Sequence, residues 1–495
     1  MFLRWLFLRL LGVVYLIAFA SLAVQLAGLV GEHGILPIRE LLTQARDAYG
    51  TGAYHVLPTL LWLSSSDTVL SLLSWGGAAL SLLLIAGIAP VPVLILLWAF
   101  YLSLTVAGQV FLEFQWDALL LETGLLACLY APLRSTFAVP PATFEVRAHA
   151  EPNPVVRWVL WSLTYKLTFL SGVTKILSGD TTWANWTAMT YHYETQPIPA
   201  WTSWYAHQLP ARLHYWSVPG MFAVEVVAPF AVFLPPRFRR TRFVACLAMI
   251  LLQVMIDATG NYGFFNPLAI VLYLTLLDDH TLGRVSFLRS PTPSSAAEKE
   301  GPRSEPAAWR VATSVVAMAI AFVSLLTLFR EMGMTLAPVE GKTASSVLGW
   351  LAPFRSINGY GLFRVMTTER PEIIIEVSAD GQTWKEYEFR WKAGDPMRRP
   401  RFVEPYMPRL DWQMWFAALN PRSAQYWLAA LLERILGGEP AVLRLLGPNP
   451  LSGPPRFARL AYYDYRFSTR AERAATGAWW ERKFVGQLTA PIPAR

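Results

Sequence analysis

Two acidic residues, Asp117 and Glu122, lie in an apolar stretch where an ionised side chain is costly. An unpaired charge at the centre of a membrane helix costs about 2.5–3.5 kcal/mol on insertion scales, so both carboxylates need partners. The next apolar segment supplies Lys166 and Lys175, and a later one supplies Glu225. A buried lysine beside a carboxylate could act as a general base. The candidate catalytic residues are therefore Lys175, Asp117 and Glu122.

The spacing of polar residues around Lys175 indicates which face of its helix is polar. Five residues recur every three or four positions and would form one stripe: Thr164, Thr168, Ser171, Lys175 and Ser178. Lys166 falls roughly on the opposite face at about 100° per residue. We favour a structural ion pair between the two segments over catalysis, because no further nucleophile, metal set or cofactor motif accompanies these residues. We accordingly expect no cofactor.

The segment 178–217 concentrates aromatic residues and histidines between two apolar segments. Its candidates for contact with a client protein are Trp183, Trp186, His192, Glu194, Trp201, Trp204, Tyr205 and His207. The default interpretation is an aromatic belt at the membrane interface. The alternative is a rigid amphipathic platform for a client protein, since aromatics supply contact area at low entropic cost. The His and Glu spacing matches no zinc pattern, so we expect no metal.

The composition indicates a membrane protein. Of the 495 residues, 54% are hydrophobic and only 15% are charged, which does not fit a soluble enzyme. The formal charge of +8 lies largely in short Arg clusters between apolar runs, so we expect no nucleic-acid partner. Cys128 and Cys246 lie in apolar runs and provide neither a disulfide framework nor a zinc site. The sequence contains no GxSxG, Walker A, GxGxxG or HExxH motif, and thus no recognisable lipase, nucleotide-binding or zinc-protease site.

Apolar segments of spanning or near-spanning length predict a polytopic membrane domain of about nine transmembrane helices. They fall at about 8–30, 68–88, 91–108, 115–131, 155–177, 218–234, 242–258, 264–278 and 308–328. We expect the first to be a retained helix rather than a cleaved signal peptide, because its apolar run continues past Ala18-Phe19-Ala20. Arg residues precede the first segment and lie between the fourth and fifth and between the sixth and seventh, which predicts that these regions and the N-terminus are cytoplasmic. The segment 178–217 then faces the opposite side.

The composition changes again after the eighth segment. Residues 290–306 are rich in Ser, Pro and charge and predict a flexible cytoplasmic linker. This linker would separate a membrane domain at 1–289 from a last transmembrane helix at 307–329. Residues 330–495 then form a C-terminal domain, which the alternation of sides predicts to be extracytoplasmic.

The C-terminal domain carries both strand and helix signals and is predicted to be α+β. IIIEVS at 373–378 and WKEYEFRW at 384–391 flank an Asp-Gly turn, which is typical of a β-hairpin. RLAYYDYRF at 459–467 predicts a further strand, and 411–436 predicts helices on both sides of Asn420-Pro421. Asp411 and Trp412 begin a helix with one large apolar face. We expect that face in the core, with a client-binding groove as the alternative.

Four stretches resemble the lipase maturation factor family, in the order in which that family has them. They are RLLGVVYLIAFASLAVQLAGLVGEHGILP at 9–37, FLEFQWDALLLETG at 111–124, LTFLSGVTKILSGDTTWANWTAMTYHYETQPIPAWTSWYAHQLP at 167–210, and INGYGLFRVMTTERPEIIIEVSADGQTWKEYEF at 357–389 followed by PRLDWQMWFAAL at 408–419. One departure is Tyr406-Met407, where the family is expected to have a His-Gln pair. That departure puts any role for a histidine at this place in doubt.

The resemblance implies a membrane-embedded maturation factor or chaperone. In animals such factors sit in the endoplasmic reticulum and help dimeric secreted lipases reach their active form, with the C-terminal domain in the lumen. Arg greatly outnumbers Lys, as in GC-rich bacterial genomes. We therefore expect an integral protein of a bacterial inner membrane, or of the endoplasmic reticulum if the source is eukaryotic. Its expected partners are the lipid bilayer and secreted or envelope client proteins, including lipases.

Two other functions stay open at the level of the sequence. The membrane region is more distantly similar to the superfamily that contains the vitamin K-dependent carboxylase, so the chain could be an integral membrane enzyme that modifies a lipid or a peptide. A transporter is a weaker third hypothesis. If 178–217 is a client platform, replacing Trp201 and Trp204 together by Ala should reduce client maturation at near-normal abundance.

Overall fold

The computed structural model describes residues 2–134, 152–277, 305–334 and 342–494. Of the linker predicted at 290–306, residues 290–304 lie outside these ranges. The helices before it are α1 (Phe2–Ala23), α2 (Leu26–Val30), α3 (Ile38–Tyr49), α4 (Ala53–Val56), α5 (Asp67–Ala86), α6 (Pro90–Ala107), α7 (Gln115–Tyr130), α8 (Pro154–Leu177), α9 (Thr181–Ala184), α10 (Met189–Thr195), α11 (Trp201–His207), α12 (Ala211–Phe233, with a π-helical turn at Ala223–Val227 and a 3-10 segment at Ala228–Phe233), α13 (Arg239–Ala258) and α14 (Phe265–Leu274).

Six helices in the described part of the chain are long and apolar enough to cross a membrane, and each matches a predicted segment: α1, α5, α6, α12, α13 and α15 (Ala307–Glu331). The structure therefore supports a polytopic helical membrane protein but not the count of nine. The 16 residues of α7 and the 10 of α14 are too few for the helix alone to span the roughly 30 Å hydrocarbon core at about 1.5 Å per residue. The third remaining segment, α8, has 24 residues but carries two buried lysines.

The membrane helices form a bundle in which α1 packs against α5, α5 against α6, and α6 against α7. Gly77 of α5 makes the first of these contacts possible, because the ring of Phe19 occupies the space where a Cβ would lie. Helix α8 packs against α7, α12 and α15. The polar residues of α7 and α8 are thereby placed inside the bundle.

The C-terminal part combines a small antiparallel sheet with helices. The strands are β1 (Arg370–Ser378), β2 (Lys385–Tyr387), β3 (Phe457–Phe467), β4 (Trp480–Gln487) and β5 (Ile492–Pro493), in the order β2-β1-β3-β4, with β5 also paired to β3. The helices are α16 (Lys342–Leu351), α17 (Arg409–Leu419), α18 (Pro421–Leu436), α19 (Pro440–Leu443) and α20 (Arg470–Thr476).

The local predictions for this part are confirmed. Strands β1 and β2 form the predicted hairpin, with Ile375 opposite Tyr387. In its turn the carboxylate of Asp380 accepts hydrogen bonds from the backbone N–H groups of Gln382 and Thr383. Helices α17 and α18 meet at Asn420, whose side chain accepts a hydrogen bond from the N–H of Ser423 and so caps α18.

The membrane bundle and the C-terminal part share one continuous hydrophobic core, which extends from α1 into β1, α17 and α18. A second cluster joins the segment 178–217 to the sheet through Trp204, Ile374, Tyr465, Phe467 and Trp480. The C-terminal domain is therefore docked onto the membrane bundle through apolar contacts.

Candidate functional site

Asp117 of α7 is paired with an arginine of the C-terminal domain. Arg409, at the start of α17, makes a bidentate ion pair with it: Nη1 lies 2.5 Å from Oδ2 and Nη2 lies 2.7 Å from Oδ1. The hydroxyl of Tyr101 donates a further hydrogen bond of 2.5 Å to Oδ1. All three side chains are buried. Such a pair stabilises only when its hydrogen bonds are satisfied, because removing either partner leaves a buried charge.

Glu122, about one turn and a half further along α7, joins two other parts of the chain, and its partner Lys166 adds a third. The ammonium of Lys166 on α8 lies 2.6 Å from Oε1 and also donates to Ser324 of α15 over 2.7 Å. On the C-terminal side the hydroxyl of Tyr360 donates to Oε2 over 2.7 Å, and the backbone N–H of Asn358 donates to the same oxygen over 3.1 Å. This is the structural ion pair between the fourth and fifth predicted segments, and the lysine that forms it is Lys166.

Lys175 pairs with a different carboxylate, Glu225 of α12, over 2.8 Å, and donates to the carbonyl of Ser171 over 3.0 Å. Gly172 allows the close approach of α12, since a Cβ there would lie 2.8 Å from Cβ of Glu225. The structure thus does not bring Lys175 together with Asp117 and Glu122. The three catalytic candidates belong to three separate ion pairs, each with its own partner.

The aromatic segment 178–217 contacts the C-terminal domain over much of its length. The indole N–H of Trp183 donates to the carbonyl of Phe363 over 3.1 Å, and that of Trp204 donates to the carbonyl of Ser468 over 2.8 Å. The carboxylate of Glu194 accepts a hydrogen bond of 2.9 Å from the backbone N–H of Phe467. Trp183 and Trp204 are buried, so they present no area to another protein in this structure.

Other aromatics of the segment remain accessible. Tyr205 is exposed, while Trp201 is half-buried between Tyr205 and Phe402, with ring centroids 5.9 and 6.0 Å away. Trp186 packs against Tyr215 and Trp216 at the start of α12. The latter cluster lies where a membrane helix begins, the usual position of an aromatic belt.

The two histidines among the candidates are neutral at physiological pH. Burial lowers the pKa of His192 to about 4, with a further contribution from the charge of Lys175. Burial and His214 likewise lower the pKa of His207 to about 4. The ring of His192 lies 3.3 Å from the hydroxyl of Tyr262. Within the described ranges, no three or more His, Cys, Asp or Glu side chains form a group that could hold a metal ion.

Asp411 and Trp412 lie in the interior of the protein. Oδ1 of Asp411 accepts hydrogen bonds from the backbone N–H groups of Trp391 and Lys392, at 2.9 and 3.0 Å. Burial raises the pKa of Asp411 to about 6, against the opposing effect of these hydrogen bonds. The indole of Trp412 packs against Trp116 of α7, with ring centroids 4.8 Å apart. Trp412 therefore connects α17 to the membrane bundle.

Arg370, which no motif in the sequence singled out, is a fully buried residue at the start of β1 that holds the segment 178–217. Its guanidinium donates to the carbonyls of Glu194 and Pro197, over 2.6 and 3.1 Å. It also pairs with Glu372 over 2.8 Å, and Glu372 in turn accepts from Lys392 over 2.7 Å. One feature of the sequence could have indicated this role: two opposite charges, Arg370 and Glu372, stand directly before the apolar run of a predicted strand.

Comparison with known proteins places this arrangement in a family. The model of the lipase maturation factor transmembrane domain matches residues 2–284, and that of the lipase maturation factor C-terminal domain matches residues 356–490. The chain belongs to the lipase maturation factor family. Lipase maturation factor 2 of Homo sapiens is 36% identical over 98% of this chain and 82% of its own length. Lipase maturation factor 1 of Bos taurus is 34% identical over 99% of this chain and 88% of its own length. No solved structure matches the chain.

The stretches that resemble the lipase maturation factors meet one another in the structure. Arg409 of the PRLDW stretch binds Asp117, and its backbone N–H donates to Oε1 of Gln25, directly before α2, over 2.9 Å. Gln25 also donates to the carbonyl of Met407 over 2.9 Å. Met407, at the position of the departure from the family pattern, is fully buried against α1. The matching residues thus build the contact between the membrane bundle and the C-terminal domain.

Proposed function

We propose that this protein is a membrane-embedded maturation factor that assists the folding or assembly of extracytoplasmic proteins, with lipases as the first candidate clients. The observation that carries the proposal is similarity to lipase maturation factors 1 and 2 over 98–99% of the chain, covering both the membrane and the C-terminal domains. The C-terminal domain and the segment 178–217 would act as one client-binding unit, since they are joined by buried hydrogen bonds.

Within that unit we propose an exposed aromatic surface as the client contact. It consists of Trp201, Tyr205 and Phe402, with Arg399 stacked on Trp201 at 4.7 Å from the ring centroid. Tyr205 and Phe402 are exposed to 46% and 42%, so their rings are available to a partner. Protein interfaces concentrate their binding energy in a few Trp, Tyr and Arg residues, which is the chemistry of this surface.

The genetic test of the proposal is deletion of the gene. The specific activity or the assembly of a secreted hydrolase should fall, while its transcript level stays constant. A double variant, Tyr205→Ala with Phe402→Ala, should reproduce this loss at normal abundance in the membrane fraction. A secreted proteome with unchanged activities after deletion would refute the maturation role, and a fully active double variant would refute this surface as the client contact.

A further inference from the structure

A cavity of about 580 Å³ lies between α8, α12 and α13, apart from the proposed client surface. Its walls are mainly apolar and include Val224, Leu251, Leu252 and Met255. The Lys175–Glu225 ion pair lies on its inner wall. The volume falls within the roughly 300–1,000 Å³ typical of small-molecule sites.

Two buried oxygen atoms in the lining of this cavity lack a hydrogen-bond partner among the described residues. They are Oε1 of Gln253 and Oδ1 of Asn266, and both residues are more than nine-tenths buried. The amide orientation of Asn266 is fixed, because its Nδ2 donates to a carboxylate oxygen of Asp257 over 3.2 Å. An unsatisfied buried acceptor costs about 1–3 kcal/mol. The cavity therefore favours an occupant that donates hydrogen bonds.

The route into the cavity leads from the lipid bilayer. Only 28% of the residues in the apolar stretch of α12, and 22% of those in α13, are buried inside the protein. The outer faces of both helices are therefore available to lipid. Leu251 and Met255 line the cavity and are nevertheless 56% and 57% exposed. The entrance thus lies on a surface that faces acyl chains in a membrane.

We propose that this cavity binds a neutral single-chain lipid whose head group donates hydrogen bonds, such as a monoacylglycerol. The acyl chain lies along the apolar wall formed by α12 and α13, and the hydroxyl groups donate to Gln253 and Asn266. An anionic head group is disfavoured here, because it would face two acceptor oxygens. Lys175 would not compensate, since Glu225 already neutralises its charge. A second chain would exceed a cavity of this volume. The site does not depend on the proposed maturation role.

The test uses the purified full-length protein and a 1-palmitoylglycerol analogue with a diazirine in its chain. Irradiation should label peptides from 217–225 and 248–256, and excess 1-palmitoylglycerol should prevent the labelling. Palmitate and dipalmitoylphosphatidylcholine at the same concentration should compete at least about tenfold less well. Gln253→Leu, which removes one acceptor without changing the size of the side chain much, should weaken competition by 1-palmitoylglycerol about three- to tenfold.

A blocking variant and a matched control complete the experiment. A Cβ at Gly220, which lines the cavity, meets no atom within 4 Å, so Gly220→Phe can fill the space and should abolish labelling of both peptides. Gly76→Phe on α5 introduces the same side chain where only Phe100 lies in ordinary contact, at 3.4 Å, and should leave the labelling intact. Labelling that is spread over all membrane helices without competition, or that only palmitate or the phospholipid prevents, would overturn the proposal. A polypeptide cross-linked at these peptides instead of the lipid would do the same.

Discussion

At the scale of single residues, the buried pair between Asp117 and Arg409 is the most consequential contact. Replacing Arg409 by Met leaves the Asp117 carboxylate buried with Tyr101 as its remaining donor, and should destabilise the protein by about 3–5 kcal/mol. The matched control is Arg39→Met, because the Arg39–Glu32 pair is exposed and should contribute at most about 1 kcal/mol. Thermal unfolding in detergent, followed by loss of the monodisperse peak, measures both variants.

The double variant Asp117→Leu with Arg409→Met distinguishes two causes of the lost stability. One is the unpaired buried charge of Asp117, and the other is the loss of the contacts that the Arg409 side chain makes. Replacing a buried ion pair by apolar residues of similar volume is often neutral or stabilising, so most of the lost stability should return. A double variant as unstable as Arg409→Met alone would show that the loss does not come from an uncompensated charge.

Asp411 predicts a pH dependence of stability. Burial raises its pKa from 3.8 to about 6. The folded protein therefore holds the proton more tightly than the unfolded chain. The stabilising contribution is fully present below about pH 4 and is lost as the pH rises through about 6. Asp411→Asn keeps the oxygen that accepts from Trp391 and Lys392, and should flatten the change in melting temperature between pH 4 and pH 7.

The exposed Asp380 provides a control, because its pKa is shifted in the opposite direction to that of Asp411. Backbone hydrogen bonds from Thr383 and Gln382 hold its pKa well below the ordinary value, so its contribution should be lost only as the pH falls below about 4. Asp380→Asn should therefore leave the slope between pH 4 and pH 7 unchanged. An Asp411→Asn variant with the same slope as the parent protein would contradict the assignment.

The sequence predicted the buried charges and an ion pair between the fourth and fifth apolar segments, but not the partners that the C-terminal domain supplies. Asp117, Glu122, Lys166 and Lys175 were recognised because charges are rare in apolar segments. Spacing along a helix indicates which face a side chain occupies, but not which distant part of the chain meets that face. Arg409 lies 292 positions from Asp117, and Tyr360 lies 238 positions from Glu122. Both partners belong to the C-terminal domain, and they reach the carboxylates only because that domain packs against the bundle.

At the scale of elements, α11 connects the segment 178–217 to the sheet, and Trp204 is its anchor. Its indole packs against Trp479 with ring centroids 5.6 Å apart, and Arg473 stacks on its ring at 4.7 Å. Truncating a buried Trp to Ala typically costs about 3–5 kcal/mol. We therefore expect Trp204→Ala to lower abundance in the membrane fraction, rather than to leave it near normal as the sequence suggested for the Trp201 and Trp204 double variant.

The control for Trp204 is Trp216 on α12, which is 65% exposed. Trp216→Ala removes a side chain of the same type that has little buried area, so abundance should change little. Equal abundance of the two variants would show that the contact between α11 and the sheet contributes little to stability. Quantitative immunoblotting of membrane fractions distinguishes the outcomes.

The elements of the C-terminal domain were predictable because local signals agreed with each other. The alternating pattern around Asp380-Gly381 specified the hairpin, and Asn420-Pro421 marked the junction between α17 and α18. The short helices α9, α10 and α11 were not predicted. They carry four to seven residues each, and their sequence lacks a long amphipathic period. Helices α10 and α11 contact β1 and β3, and α9 with its N-cap Asp180 contacts Phe363 and Met366, all of which are distant in sequence.

At the scale of the whole molecule, contacts between distant segments constrain the membrane topology. Trp204 and Glu194, before α12, bind Ser468 and Phe467, after α15. Segments in direct contact lie on the same side of a membrane, so the chain between them crosses an even number of times. Helices α12, α13 and α15 alone would give three crossings. We infer that α14, with its flanking residues, makes a fourth, which a short helix can do when it is enclosed by protein rather than lipid.

This inference can be tested with single cysteines at exposed positions, in a background without the buried Cys128 and Cys246. The Arg residues at 237–242 predict a cytoplasmic α12–α13 loop. On that prediction, Asn185→Cys and Gln382→Cys should react with an impermeant thiol reagent in intact cells, whereas Arg240→Cys should not. Permeabilised cells provide the control, because all three positions are exposed and should then react.

Labelling of Arg240→Cys in intact cells would reverse the orientation and with it the proposed extracytoplasmic client surface. Labelling at 185 without labelling at 382 would place the two contacting segments on opposite sides, and would contradict both the fourth crossing by α14 and the contact on which it rests.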